Sequence, residues 1–145
     1  MIALDTNLLI YAHREETPRH SESVRVLRGL AEGVEPWGLP WPCIYEFLRV
    51  VTHPRVFDPP TDLETAVEGV RSLLNSPSLV MLGEGRDHLG HLVTMMREGR
   101  ATGNLAHDAH IAALVREHGV HEFWTTDRDF ARFVGVRTHN PLAAG

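Results

Sequence analysis

Residues 1–12 read Met-Ile-Ala-Leu-Asp-Thr-Asn-Leu-Leu-Ile-Tyr-Ala, and their order decides the fold. Ile2-Ala3-Leu4 is a short, wholly apolar run of the kind that forms a buried strand. Asp5-Thr6-Asn7 interrupts it, and Leu8 to Ala12 then resume as an apolar helix. A buried strand followed at once by a helix is the opening of a parallel α/β sheet. In such sheets, ligands bind outside the carboxyl ends of the strands. Asp5 falls at that end. Asp is equally a good helix N-cap, and position alone does not separate the two readings.

The same alternation continues outward. Thr17-Pro18 offers a cap and a proline to start a helix with Val24, Leu27, Leu30 and Ala31 on one face, and Gly33 ends it. Leu39 to Pro42 reads as extended, and residues 43–52 as helical until His53-Pro54. Thr61 with Glu64 forms a capping box for a helix whose apolar residues run from Leu63 to Leu74. Ser78 to Leu82 is a strand, and Leu89, Leu92, Val93 and Met96 form a helical face closed by Gly99. After the loop Arg100–Gly103, Asn104 caps a helix that runs to His118. Glu122 to Thr125 forms a strand, 127–133 a short helix, and Val136 to Thr138 a last strand. No repeat or long linker interrupts the pattern, so it predicts one α/β domain over residues 1–145.

Composition narrows the function classes. Cys43 is the single cysteine, so there is no internal disulfide and no cysteine-based zinc finger. That usage fits a reducing cytosol. No apolar run approaches the ~18 residues of a membrane span, and no basic region precedes a long apolar stretch. The expected location is therefore cytoplasmic. A net charge of −5 argues against a nucleic-acid coat that binds by bulk attraction. It leaves room for an enzyme that meets RNA through a metal site and local arginines. All 14 basic residues are arginine.

Most of the 19 acids fall in loops or on polar helical faces. Four do not. Asp108 shares a helical face with Ile111, Ala112 and Val115, where a charge is costly unless paired or bound to a metal. An arginine partner would explain it; a ligand role explains it better. Glu46 lies among Cys43, Phe47 and Val50 in an otherwise apolar helix, and either projects toward the sheet edge or snorkels to water. Asp127 follows the Phe-Trp-Thr-Thr strand at a second carboxyl end. Asp129, in the first turn of the helix that follows, suits the helix dipole, which leaves Asp127 the better ligand. Asp5, Glu46, Asp108 and Asp127 converging in one cleft would repel strongly, by about 4 kcal/mol per pair 4 Å apart at an effective dielectric of 20. Bound cations or raised pKa values must relieve that. All-oxygen ligation suits Mg²⁺ or Mn²⁺.

Asp5-Thr6-Asn7, Glu46 in Tyr-Glu-Phe-Leu, Asp108 in Asn-Leu-Ala-His-Asp-Ala-His-Ile-Ala-Ala, and Thr125-Thr126-Asp127-Arg128-Asp129-Phe130 together resemble the ordered acidic motifs of PIN-domain ribonucleases. More narrowly, the chain is similar to the VapC-type toxins of toxin–antitoxin systems. The likeness covers essentially the whole chain, including Leu-Arg-Val-Val-Thr-His-Pro-Arg-Val-Phe and the Asn140-Pro141-Leu142 ending. The resemblance implies a PIN-like three-layer α/β/α sandwich with a central parallel sheet. It also implies Mg²⁺- or Mn²⁺-dependent endonucleolytic cleavage of RNA by metal-activated water. By position, Asp5 and Asp108 would be the principal metal ligands. Glu46 and Asp127 would complete the catalytic set, directly or through water. Thr126 (or Thr125) and Asn7 would orient carboxylates or waters. A homodimer, and a cognate antitoxin whose tail covers the site, are implied as well.

Other residues point less firmly. Arg100 and Asn104, leading into the Asp108 helix, and Arg128 are candidate phosphate contacts; Arg14 and Arg49 are further ones. His107 and His110 flank Asp108, and His88 and His91 have helical spacing, but His107 and His110 should turn away from the Asp108 face and spacing places no third ligand. The sequence therefore does not predict a zinc site. Trp37, Trp41 and Trp124 suit core or dimer contacts better than base stacking, and Cys43 suits a buried inert thiol. The rival reading is a non-catalytic PIN-like module that binds RNA or protein; the filled acidic positions count against it. A receiver-like phosphotransfer domain fits worse, because Asn7 stands where a second acid is needed and no lysine exists.

Overall fold

The computed structural model describes residues 1–143. Five strands form one sheet: β1 (Ile2–Leu4), β2 (Trp37–Pro40), β3 (Leu79–Leu82), β4 (Glu122–Trp124) and β5 (Thr138–His139). Their spatial order is β3-β2-β1-β4-β5, and every pair is parallel. Six α-helices connect them: α1 (Thr6–His13), α2 (His20–Glu32), α3 (Trp41–Val51), α4 (Leu63–Leu74), α5 (His88–Glu98) and α6 (Leu105–Glu117).

The chain steps outward from β1 to β2 to β3 through α1–α4, then returns over the sheet through α5 and α6 to β4. Right-handed crossovers in opposite directions put their helices on opposite faces. The result is the expected α/β/α sandwich. Its order reverses at β1, between β2 and β4, and such a switch point opens a crevice at the strands' carboxyl ends.

The core explains the strand choice. Ala3, Leu4, Trp37, Leu39, Leu82 and Phe123 are almost wholly buried in the sheet. Phe123 meets Phe130 edge-on, with ring centroids 5.0 Å apart. Burying a side chain of that size is worth roughly 1.5–3 kcal/mol.

Several boundaries differ from the sequence reading, each for a local reason. Helix α2 starts at His20 rather than at Thr17-Pro18; the Thr17 hydroxyl instead donates to the Arg14 and Tyr11 carbonyls and closes the α1–α2 turn. The cap of α4 is Asp62, whose Oδ1 accepts from the Thr65 amide at 2.9 Å. Thr61 is buried and serves Arg14, which donates to its Oγ1 at 3.0 Å. Trp41-Pro42 opens α3 instead of extending β2, because proline suits a first helical turn. The short helix after Asp127 is a 3₁₀ turn, Arg128–Arg132.

Candidate active site

The crevice predicted by the strand order is present. It is a cleft of about 700 Å³ lined by Asp5, Thr6 and Asn7 from the end of β1, Glu46 from α3, His107, Asp108 and His110 from α6, and Asp127 beyond β4, among others. Thus Asp5, Glu46, Asp108 and Asp127, separated by up to 122 positions in sequence, meet in one place.

Asp5 is held most tightly. Its Oδ1 accepts the Thr6 amide at 2.7 Å, so it does cap α1. Its Oδ2 accepts the Thr125 hydroxyl at 2.6 Å, and the Cys43 thiol lies 3.8 Å from Oδ1. The capping role and the cleft position coexist. Burial pushes the Asp5 carboxyl up, against the opposing hydrogen bonds from Thr125 and Thr6. Burial likewise pushes the Cys43 thiol up, so it stays a neutral packing group.

Thr125 links two acids. While donating to Asp5, its Oγ1 accepts the Asp127 amide at 3.0 Å. Asp127 in turn caps the 3₁₀ turn, its Oδ1 accepting the Asp129 amide at 2.9 Å. Thr126, the other candidate orienting residue, accepts instead from Asn7 Nδ2 at 3.3 Å. The hydroxyl that fixes the Asp5 carboxylate is therefore that of Thr125, and Asn7 with Thr126 braces the adjoining edge.

Asp108 lies half-buried on the α6 face whose Ile111, Ala112 and Val115 are buried, as its helical spacing required. Among the described residues it has no salt-bridge partner, which removes the ion-pair explanation. Burial, then the neighbouring carboxylates of Asp127, Asp5 and Asp129, raise its pKa to about 6. One carboxylate oxygen from each of Asp108, Asp127 and Asp129 lies within 4.8 Å of the others. Asp129 belongs to this group, although its first-turn position had suggested a purely structural part. The available signal was a second acid, Asp129, two positions after Asp127 at a strand's carboxyl end.

Glu46 reaches the cleft but is differently engaged. Its Oε1 lies 2.6 Å from Arg49 Nη2, and the side chain is 45% exposed. Asn104 lines the cleft, as does Arg49. Arg100 and Arg128 are not among its lining residues. Arg14 is committed elsewhere: it pairs with Glu16 at 2.8 Å and lies 4.4 Å above the Phe57 ring. His107 and His110 line the cleft beside Asp108, contrary to the expectation that they turn away from it. The cleft is broad enough to take in both flanks of Asp108.

The donors are carboxylate oxygens with no thiolate among them and no compensating arginine on Asp5, Asp108, Asp127 or Asp129 within salt-bridge distance among the described residues. That set fits a hard divalent cation, which prefers oxygen ligands.

The family model described as a PIN domain matches residues 2–136. Ribonuclease VapC43 of Mycobacterium tuberculosis is 37% identical over 142 residues, covering 98% of this chain and 96% of its own. Among solved structures, VapBC2 of Rickettsia felis, bound to a promoter DNA fragment, superposes with a TM-score of 0.66 at 16% identity, over 97% of this chain and 98% of that one. The sarcin–ricin loop cleaving toxin VapC20 of Mycobacterium tuberculosis superposes with a TM-score of 0.66 at 18% identity, over 94% of this chain and 99% of that one. These two structural likenesses bear on the fold.

Proposed function

The chain belongs to the PIN-domain family and, within it, to the VapC ribonucleases, and from that premise we propose that residues 1–145 act as one metal-dependent endoribonuclease unit, the toxin of a toxin–antitoxin pair. The observation that carries this reading is the meeting of Asp5, Asp108 and Asp127, with Asp129, at the carboxyl ends of β1 and β4 without a basic partner. A fold that gathers unpaired acids needs a cation to relieve them.

Mg²⁺ or Mn²⁺ is the cation this oxygen set suits. When bound, such an ion activates water and stabilises charge on a phosphodiester under in-line attack. Everything else falls to the protein. Asp5 and Asp108 are the principal ligands, with Asp127 completing the set directly or through water and Glu46, held by Arg49, contributing only weakly through water. Thr125 fixes the orientation of Asp5 and, through the Asp127 amide, its spacing from Asp127. Asn7 and Thr126 brace the rim. Asn104 and Arg49 line the path of the RNA backbone; Arg100 and Arg128 are contacts for strands that extend beyond the cleft. Cys43 does not act as a covalent nucleophile: it is buried and its thiol is held neutral.

The partner is a cognate antitoxin that covers the cleft, and the assembly is a homodimer in the cytoplasm. No helix among the described residues is long and apolar enough to cross a membrane. The test is cleavage of a mixed pool of tRNA, rRNA and mRNA fragments by antitoxin-free protein with Mn²⁺, with Mg²⁺ and with EDTA. Discrete cuts that need the metal and vanish in Asp5→Asn establish the reading. Folded protein that binds RNA and metal but never cuts would move the non-catalytic binding module to first place.

A further inference from the structure

A second group of ionisable side chains stands beside α6, outside the carboxylate set. Glu84 comes from the loop after β3, His88 opens α5, and His110 lies on α6. One ligand atom from each lies within 4.8 Å of the other two. Nε2 of His110 is 2.7 Å from Glu84 Oε1, and the rings of His88 and His110 meet at tilted planes with centroids 5.2 Å apart. Spacing along the sequence had supplied only histidines; the fold supplies the third ligand from a distant loop.

The arrangement around His88 is what makes this more than a surface cluster. Its Nδ1 lies 3.1 Å from Glu117 Oε2. An ionised carboxylate only accepts, so Nδ1 is the donor here, and in the neutral ring Nε2 keeps its lone pair for a metal. Carboxylates that fix the tautomer and ring plane in this way are the usual companions of metal-binding imidazoles. Glu117 is itself anchored: its Oε1 accepts the Gly85 amide at 2.7 Å, and its side chain is only 9% exposed. A Cβ at position 85 would crowd that oxygen, so a side chain there would have to displace the Glu117 carboxylate.

Two imidazoles and one carboxylate with an open fourth position form a donor set suited to zinc. It differs in kind from the all-oxygen set in the cleft, since imidazole favours Zn²⁺, Co²⁺ and Ni²⁺ over Mg²⁺. We propose that Glu84, His88 and His110 bind a Zn²⁺-class divalent ion, with Glu117 as the positioning residue, at a site separate from the acidic cluster. His110 also lines the catalytic cleft, so an ion held there ties one cleft wall to the Glu84 loop.

Co²⁺ is the probe, because a tetrahedral site gives it strong visible absorption and an octahedral oxygen site does not. The protein is titrated with Co²⁺ in saturating Mg²⁺, which keeps the acidic cluster occupied. Wild type and Asp127→Asn should each take up one equivalent with tetrahedral bands, and added Zn²⁺ should bleach them. His88→Ala and Glu84→Gln, both checked for folding by circular dichroism, should lose the bands, and Glu117→Gln should weaken binding by about 10–100-fold. Glu84 is exposed, so its variant will fold even if His88→Ala does not. Bands unchanged in folded Glu84→Gln, bands lost in Asp127→Asn, or no tetrahedral Co²⁺ over Mg²⁺ would each overturn the assignment. The readout needs no RNA cleavage, so failure of the nuclease reading leaves it standing.

Discussion

The acids at the carboxyl end of the sheet and the acids on the outer helices are the same chemical groups in opposite circumstances. On the outer helices, Glu22, Glu46 and Glu68 each pair with an arginine three positions away, at 2.6–2.8 Å. Those pairs are exposed and worth little, about 0–1 kcal/mol each. At the sheet end, Asp5, Asp108, Asp127 and Asp129 have one another, hydroxyls and backbone amides, but among the described residues no arginine. Among the described residues, none of the 14 arginines lies within salt-bridge distance of these four. The difference shows where a cation from solution is wanted. It also sorts Glu46: placed by its helix in the cleft, it is electrostatically one of the outer acids.

Breaking the unpaired set should have the largest effect. Asp108→Asn or Asp5→Asn should lower metal-dependent RNA cleavage by more than about 100-fold, beyond what loss of a supporting partner usually costs. Single-turnover rates against a defined cleaved RNA measure it, and rates near wild type would dissolve the distinction between the two groups of acids. Thr125→Val keeps every carboxylate but frees Asp5 and the Asp127 amide, so a drop of about 10–100-fold is expected. Glu46→Gln should cost less than about tenfold in the same assay. A loss as deep as that of Asp108→Asn would return Glu46 to the unpaired class.

A smaller effect concerns stability without metal. The Asp108 carboxyl is pushed up to about 6 in the fold, against about 3.9 for an unperturbed aspartate, so between these values the folded chain holds more protons than the unfolded one. Stability must then fall as the pH rises from about 4 to 6. Asp108→Asn should remove that slope and stabilise the metal-free protein at neutral pH, by about 1 kcal/mol after allowance for solvent around a half-exposed group. Urea unfolding at pH 4 and pH 7 in EDTA checks the sign; a wild type that gains stability through Asp108 on going to pH 7 contradicts it.

How legible this was in the sequence depended on the kind of signal. The parallel α/β order followed from apolar runs alternating with helical faces, and Asp5 and Asp108 stood out because charge interrupted that pattern. The capping box at Thr61 misled because two neighbouring residues can cap one helix, and the buried contact with Arg14 took Thr61 away. Thr125 and Asp129 were underweighted for a similar reason. A threonine ending a strand and an acid in a first turn have sufficient local explanations, and only the fold shows Thr125 bonded to Asp5 and Asp129 beside Asp108. His110 was turned the wrong way because a helical wheel gives direction but not the width of the groove beside it.

The most direct measurement is Mn²⁺ binding followed by loss of the free-ion electron paramagnetic resonance signal. Wild type, Asp108→Asn, Glu46→Gln and Glu68→Gln would be titrated side by side. The account predicts that wild type, Glu46→Gln and Glu68→Gln take up Mn²⁺ alike, within about threefold, while Asp108→Asn binds at least about tenfold more weakly. Equal binding by wild type and Asp108→Asn would contradict it, because the unpaired carboxylates would then not be what holds the ion.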